Sequence, residues 1–256
     1  MKYIKFFLII LFICQGLFPD GNITHKGKFG IYVNIGGGYN EITDFESYYT
    51  NKYQDFNGDP LNIKFATKYN IGFKYFLTKR LLLQLEYNQS IFSSSSTGVI
   101  TTTTLVFGIP ITTSFDIKEQ MQVNIFSFPL YLSIYIPFSK LNFQMGFGPV
   151  LYFANLFYNI DVFGYPSYID VNGFTVGYNL LTSMEYFINK NIGINFNFCL
   201  KAGIINELID KNGIPLKLTQ YLGIYQLLLS NLSGYNNFNL NIAAYSLSVG
   251  ISYYFN

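Results

Sequence analysis

The sequence predicts an all-β protein in which antiparallel strands run up and down and close into a barrel. Three observations predict this fold. Apolar and polar residues alternate with a period of two through most of the chain. Aromatic residues make up 20% of the 256 residues and charged residues only 12%, against about 25% charged residues in ordinary soluble domains. The links between these segments are alternately short and long along the chain.

The first 16 residues predict a signal peptide. Lys2 and Lys5 supply the positive start, residues 6–13 form a short apolar run, and small residues follow it. The run is too short to cross a membrane as a helix, which takes about 20 residues. We therefore expect an exported protein in which residues 17–256 form one barrel domain.

Cys14 leaves a second interpretation of this segment open. The residues before it faintly resemble a bacterial lipoprotein signal, in which the cysteine itself is lipidated. If Cys14 instead leaves with the signal peptide, Cys199 is the remaining thiol, which excludes an intrachain disulfide. We expect Cys199 to pack inside a strand.

The first half of the chain contains three strands with clean alternation, at residues 29–39, 64–77 and 81–91. One face of each strand is apolar and aromatic, while the other carries glycine, asparagine, glutamine, glutamate or lysine. The apolar faces comprise Phe29, Ile31, Val33, Ile35, Phe65, Tyr69, Ile71, Phe73, Tyr75, Leu81, Leu83, Leu85 and Tyr87.

The second half contributes five more strands, two of which have an irregular pattern. In residues 119–138 every second position is polar at first, at Gln120, Gln122 and Asn124, and then apolar, at Phe126, Phe128 and Leu130. Pro129 also lacks a backbone hydrogen-bond donor, so we expect a bulge nearby. In the last strand the apolar parity changes near Ala243 and Ala244. Either a bulge or a strand that begins only at Tyr245 explains that change.

The strand count is therefore about eight, or ten if the second long link forms a hairpin of its own. The short links are tight turns, whereas the long links span residues 40–62, 92–118, 156–172 and 205–237. Short turns on one side and long loops on the other are typical of transmembrane β-barrels. In such a barrel the apolar faces point to lipid, the polar faces point to the lumen, and closure leaves no unpaired edge in hydrocarbon.

With these features the chain resembles the small bacterial outer-membrane barrels, namely the OmpA- and OmpX-type domains and the related porin-family barrels. The Pro-containing strand and Gly-rich strand of residues 126–153 are similar to a strand pair of that family. The terminal strand resembles the family's C-terminal signal for the barrel-assembly machinery, although it ends in Asn256 and not in an aromatic residue. The resemblance implies an assembly signal at Tyr245, Leu247, Val249, Ile251, Tyr253 and Phe255.

Two other classes of protein share part of this pattern. A soluble lipocalin-like barrel with an apolar interior fits the alternation, but the polar faces carry too little charge for a wall exposed to water. Small barrels also include rim enzymes, which need a histidine or paired acids. The one histidine, His25, precedes the first strand, and the loop acids Asp44, Glu46, Asp55 and Asp59 are interpreted as solvated charges. We expect no catalysis, no cofactor and no metal.

Five charged residues are predicted to point into the lumen: Lys68, Lys74, Glu86, Glu185 and Lys201. Lys74 and Glu86 are predicted to lie diagonally across a strand pair, close enough to form an ion pair. A narrow eight-stranded barrel is filled by its own side chains, which favours a structural network. The alternative is a polar path on which these charges set selectivity for ions or small solutes.

The predicted role is that of a monomeric outer-membrane protein that acts structurally or through its surface loops. Its expected partners are outer-membrane lipid, the assembly machinery and an extracellular ligand; the net charge of +2 gives no reason to expect nucleic acid. Residues 93–114 are predicted to raise a hairpin that binds by strand addition. Loop tyrosines are further candidates for contact with a host molecule or lipopolysaccharide, or equally for the interfacial aromatic belt or loop packing: Tyr48, Tyr49, Tyr53, Tyr221, Tyr225 and Tyr235. A narrow pore is the second hypothesis and a rim enzyme the third.

Overall fold

The computed structural model describes residues 29–40, 56–58, 61, 64–107, 109–162, 164–213 and 240–255. Eight long strands build the fold. They are β1 (Phe29–Asn40), β3 (Phe65–Phe76), β4 (Leu81–Val106), β5 (Ile109–Phe138), β6 (Leu141–Val162), β7 (Tyr165–Phe187), β8 (Ile192–Ala202) and β12 (Ala244–Phe255). The short strands are β2 (Phe56–Gly58), β9 (Ile204–Ile205), β10 (Ile209–Asp210) and β11 (Leu240–Asn241).

The long strands close into a ring in which every neighbour is antiparallel and next in chain order. β1 pairs with β3 on one side and with β12 on the other, so the first and last strands join the ends of the sheet. Their register runs from Phe29↔Phe255 to Asn40↔Ala244. This confirms the predicted eight-stranded up-and-down barrel and excludes the ten-stranded alternative.

Two links that were expected to be loops are largely strand. β4 and β5 stay paired up to Val106↔Ile109, so the segment 92–118 is a raised hairpin. β6 and β7 stay paired up to Val162↔Tyr165. The Ser- and Thr-rich sequence looked like a loop because polar residues occupy its outer face, yet threonine favours strands. The predicted extension of the second link into a hairpin is confirmed.

No bulge lies at Pro129, contrary to the prediction. The β5–β6 register is the same before and after it, from Pro129↔Val150 to Leu132↔Phe147. The same alternate residues of β5 point inward along the whole strand. What changes is the polarity of the residues that occupy each face. The outward face changes from glutamine and asparagine above this level to phenylalanine and leucine below it.

The last strand behaves in the same way. Leu240↔Ile205 and Ala244↔Lys201 lie on one continuous register, and β12 begins at Ala244, one residue before the predicted start at Tyr245. Leu240, Ile242 and Ala244 all point inward and are buried. The apparent change of parity is therefore another exchange of polarity between the faces.

The interior has three levels between the short turns and the raised hairpin. The lower plug, next to the turns, consists of Phe76, Leu82, Tyr135, Phe187 and Tyr254. The polar layer above it contains Asn34, Lys68, Asn70, Lys74, Gln84, Glu86, Asn88, Ser90, Ser127, Ser133, Gln144, Asn179, Ser183, Glu185, Asn195, Asn197, Lys201, Ser246, Ser248 and Ser252. The upper core is apolar and includes Phe92, Ile117, Met121, Val123, Ile125, Val150, Ala154, Leu156, Ile160, Val171, Ile205, Leu208, Leu240 and Ile242.

Among the described residues, no helix is long and apolar enough to cross a membrane.

Candidate functional site

The outer wall shows which part of the barrel lies in lipid. On β5, Phe126, Phe128 and Leu130 point outward, while Ser127, Tyr131 and Ser133 on the same strand are buried inside. At a rise of ~3.3 Å per residue and a tilt of ~45°, residues 126–138 cover about 28 Å along the barrel axis. This matches the roughly 25 Å apolar band of outer-membrane barrels.

Above this band the two faces of the wall are exchanged. Gln120, Gln122 and Asn124 point outward, whereas Met121 and Val123 are fully buried inside. Polar residues outside and apolar residues inside are the arrangement of a protein in water. The chain is a small transmembrane β-barrel of the outer-membrane type. Its upper part rises out of the lipid with a largely apolar core of its own.

The polar layer contains all five charged residues predicted for the lumen, and each is at most 7% exposed. Lys74 forms its ion pair with Glu185, 3.4 Å away on the far wall. Tyr254 donates a hydrogen bond of 2.7 Å to the same carboxylate and accepts one of 3.3 Å from Lys74. The prediction that Lys74 pairs with Glu86 is therefore wrong. Lys74 pairs with Glu185 instead, because a long side chain in a narrow barrel reaches across the lumen.

Glu86 belongs to a separate network of neutral donors. The Tyr32 hydroxyl donates a hydrogen bond to its carboxylate. Gln84 donates to the same oxygen at 2.6 Å, and Gln144 donates in turn to the Gln84 carbonyl. These contacts join β1, β4 and β6, so the network around Glu86 ties three strands of the wall together.

Lys68 and Lys201 bond to serine hydroxyls. The Lys68 ammonium donates to Ser246 at 3.1 Å, and the Lys201 ammonium donates to Ser90 at 3.2 Å. Ser90 stands directly opposite Lys68 on the sheet. Lys201 therefore crosses the lumen from β8 to β4, whereas Lys68 reaches over β1 to β12.

Apolar and aromatic side chains fill the space within and below the polar layer. Within it, Cys199 is 2% exposed inside β8, as predicted, and lies 3.5 Å from the Tyr131 hydroxyl. In the lower plug, Phe76 packs edge-on against Tyr135 with ring centroids 5.0 Å apart. A solute that passed through the barrel would have to displace both apolar levels and the ion pair between them.

The residues of the predicted assembly signal all lie on the outer face of β12 and are 42% to 64% exposed. Their aromatic members pack against the first strand: Phe255 lies 5.5 Å from Phe29 and Tyr245 lies 5.2 Å from Tyr39, between ring centroids. These contacts close the barrel at the seam between its two ends. Recognition by the assembly machinery remains a prediction.

The raised hairpin stands above its neighbours. β5 loses its β6 partner above Ile117, while β4 and β5 stay paired to Val106↔Ile109. Side-chain bonds join its strands, with 3.0 Å between the Thr103 and Thr112 hydroxyls. Phe107 at the tip has a positive φ of 53° and is fully exposed.

Several predicted features lie outside the described residues. These are the signal peptide with Cys14, His25, the loop acids and the loop tyrosines. Reasoning from sequence missed Tyr32, Gln84, Gln144 and Tyr254 as members of the lumenal networks. The parity of each strand places them on the inner face, and that signal was sufficient to find them.

No protein-family profile matches the chain, and no curated protein matches it. The solved structures it is similar to include Neisserial surface protein A, at 11% identity and a TM-score of 0.39 over 89% of this chain and 97% of that one. Another is OprG from Pseudomonas aeruginosa, at 10% identity and a TM-score of 0.44 over 91% of this chain and 98% of that one. A third is Ail of Yersinia pestis, at 7% identity and a TM-score of 0.36 over 89% of this chain and 98% of that one. The ring of strand pairs and the apolar outer wall of this chain establish its fold on their own.

Proposed function

We propose that the protein is a monomeric outer-membrane barrel with a sealed lumen and no catalytic activity, which acts structurally and through its raised hairpin. The observation that carries this proposal is the edge of β5 beyond its pairing with β6, which ends at Ile117. Within the described residues, 109–114 have β4 on one side and no strand on the other. Such an edge binds an extended segment of a partner protein by adding a strand.

The backbone groups that face the free edge follow from the hairpin geometry. In a hairpin with a two-residue loop, the residues that flank the loop form a hydrogen-bonded pair, here Val106 and Ile109. Because bonded and non-bonded pairs alternate, Thr112 and Ser114 point their N–H groups away from β4. Pro110 has the same parity, and its missing N–H leaves the β4 pairing intact.

The composition of the edge suits a partner that binds by its backbone. Residues 109–115 carry no charged side chain, and Phe107 and Ile109 are 101% and 65% exposed. Main-chain hydrogen bonds would supply the affinity, and these two apolar side chains near the tip would supply a hydrophobic contact. The sealed interior supports the same conclusion, since it leaves the exterior as the surface available to a partner.

The test is a selection of random short peptides on phage against the full-length barrel in lipid nanodiscs. Selected peptides are expected to bind the wild type and Ser114→Ala, and to bind Ser114→Pro at least tenfold more weakly. The proline removes one edge N–H and leaves the β4 pairing intact, while the alanine variant controls for the lost hydroxyl. Peptides that bind all three proteins equally, or a selection that yields no binder, would contradict strand addition.

A further inference from the structure

The short turns at the lower end of the barrel share one sequence pattern. Where β3 meets β4, where β5 meets β6 and where β7 meets β8, an apolar residue is followed by threonine, serine or asparagine and then by lysine. The copies are Leu77, Thr78 and Lys79; Phe138, Ser139 and Lys140; and Ile188, Asn189 and Lys190. Because these links join three successive strand pairs of the ring, the pattern recurs around the lower end of the barrel.

The apolar residue of each turn marks the lower limit of the lipid-facing wall. Leu77, Phe138 and Ile188 are 49%, 50% and 57% exposed, and they continue the outward faces of β3, β5 and β7. Two residues before them, Tyr75 and Tyr186 also point outward. Tyrosine is enriched where a membrane meets water. The hydrocarbon of the bilayer therefore ends at about the level of these turns.

Each lysine stands in the headgroup layer just beyond that limit. Lys79, Lys140 and Lys190 follow the last apolar residue by two positions, which is about 7 Å of extended chain at most. The headgroup layer of a bilayer is about 5–8 Å thick on each side. All three lysines are exposed, and none forms an ion pair within the described part of the chain. Their ammonium groups therefore lie at the level of the lipid phosphates.

The middle residue of the pattern shapes the turn. The Thr78 hydroxyl accepts hydrogen bonds from the backbone N–H groups two and three residues further on, at 3.2 and 3.0 Å. The Asn189 side-chain oxygen accepts the equivalent pair, both at 2.9 Å. Ser139 has a positive φ of 55°, which reverses the chain in the remaining turn. The lysines are therefore carried on tight turns of defined shape and not on long, adaptable loops.

The charge of this end has one sign. Residues 77–80, 138–141 and 187–192 contain three lysines and Arg80 but no aspartate or glutamate. Glu185 is close in sequence, but it is buried in the lumen and paired with Lys74. Exposed charges of the upper part have both signs, namely Asp116, Asp170, Glu207, Lys118 and Lys211. Lysines gathered at the surface of a membrane attract anionic lipid.

We propose that Lys79, Lys140 and Lys190 form a basic collar that binds anionic phospholipids, such as phosphatidylglycerol, in the leaflet around the short turns. Each ammonium group donates hydrogen bonds to a phosphate oxygen and attracts its charge. A zwitterionic phospholipid also offers a phosphate, but its own positive group cancels most of the attraction. The short turns of outer-membrane barrels face the periplasm, so the collar selects lipids of the inner leaflet.

The test is the lipid selectivity of the refolded full-length barrel in phosphatidylcholine vesicles, measured by electron paramagnetic resonance with spin-labelled lipids. Labelled phosphatidylglycerol is expected to associate with the wild type about twofold more strongly than labelled phosphatidylcholine, and high salt should remove most of this preference. Free inorganic phosphate at the concentration of the labelled lipid should leave it unchanged, because the lipid is held in the headgroup layer. Equal association of the two lipids with folded wild type would overturn the proposal.

Variants locate the preference. The triple variant Lys79→Gln, Lys140→Gln, Lys190→Gln is expected to bring the ratio of the two associations close to one. The control is Lys118→Gln, Lys211→Gln, which removes exposed lysines from the upper part and should keep the wild-type ratio. Heat-dependent gel mobility checks the folding of each variant. If the triple variant does not fold, the single variant Lys140→Gln decides, with a ratio between one and that of the wild type.

Two results with folded variants would contradict the collar. One is a wild-type ratio in the variants of the collar lysines, which would mean that anionic lipid binds elsewhere on the barrel. The other is an equal loss of preference in the control, which would mean that the net charge of the protein sets the ratio. Arginine at all three collar positions should preserve the preference, because it keeps the positive charge.

Discussion

The polar layer and the upper core are built from the same eight-stranded ring, and their faces are reversed. In the polar layer the wall is apolar outside and hydrogen-bonded inside, as around Glu86 and Glu185. In the upper core the wall is polar outside and apolar inside, as around Met121 and Leu156. No change in backbone register accompanies the reversal. The difference shows that the solvent, and not the sheet, decides which face carries which residues.

The largest effect is expected from breaking the ion pair of the polar layer. Lys74→Met leaves the Glu185 carboxylate buried without its cation, which is expected to cost about 3–5 kcal/mol of unfolding free energy. Urea titration of the barrel in lipid vesicles measures this. The double variant Lys74→Met, Glu185→Gln should recover part of the loss. If Lys74→Met is as stable as the wild type, the unfolding free energy of the barrel does not depend on this ion pair.

The exchange of polarity on the outer wall predicts the next largest effect. Leu85→Arg places a charge in the lipid-facing band and is expected to cost about 2–4 kcal/mol near the middle of the membrane. Gln122→Arg places the same charge on the outer wall of the upper part, where water surrounds it. It is expected to change the unfolding free energy by less than about 0.5 kcal/mol. Equal losses in the same urea titration would contradict the placement of the lipid boundary.

Glu119 makes the upper core sensitive to pH. It is 3% exposed, and burial raises the pKa of its carboxyl from 4.5 to about 7, while a hydrogen bond from Tyr158 opposes the shift. The folded state therefore holds the proton more tightly than the unfolded state. The stabilisation is complete below pH 4.5 and is lost as the pH rises to about 7, a change of roughly 3 kcal/mol at most.

Unfolding in vesicles between pH 4 and pH 8 measures this dependence. Glu119→Gln is expected to flatten the profile across that window. Asp116→Asn, on the same strand but exposed, is the control and should leave the profile as it is in the wild type. A profile that keeps its slope in Glu119→Gln would show that the titrating group lies elsewhere.

The smallest effect is expected in the raised hairpin, which stands outside both interior layers. Thr103→Ala removes the exposed hydroxyl contact with Thr112 and is expected to cost less than about 1 kcal/mol. The loss should be local: amide hydrogen exchange should quicken in residues 98–117 and stay unchanged in β6 to β8. Faster exchange throughout the barrel would mean that the hairpin folds as one unit with the wall.

Much of the fold follows from sequence because a period of two needs only local information. The outer faces of β1, β3 and β4 and the inward direction of all five lumenal charges were predicted correctly. The partner of Lys74 was not, because Glu185 lies on the opposite wall and barrel closure alone brings the two together. The reversal near Ile125 was mistaken for a bulge, because an alternating pattern shows two faces without showing what each face meets.

The central claim is that the barrel is sealed, and conductance across a planar bilayer tests it most directly. The full-length barrel would be refolded, its folding checked by heat-dependent gel mobility, and then inserted into the bilayer. We predict no conductance steps, because the lower plug and the upper core close the polar layer from both ends. Stable ohmic steps from folded protein would contradict this and would make Lys68, Lys74, Glu86, Glu185 and Lys201 selectivity residues of a pore.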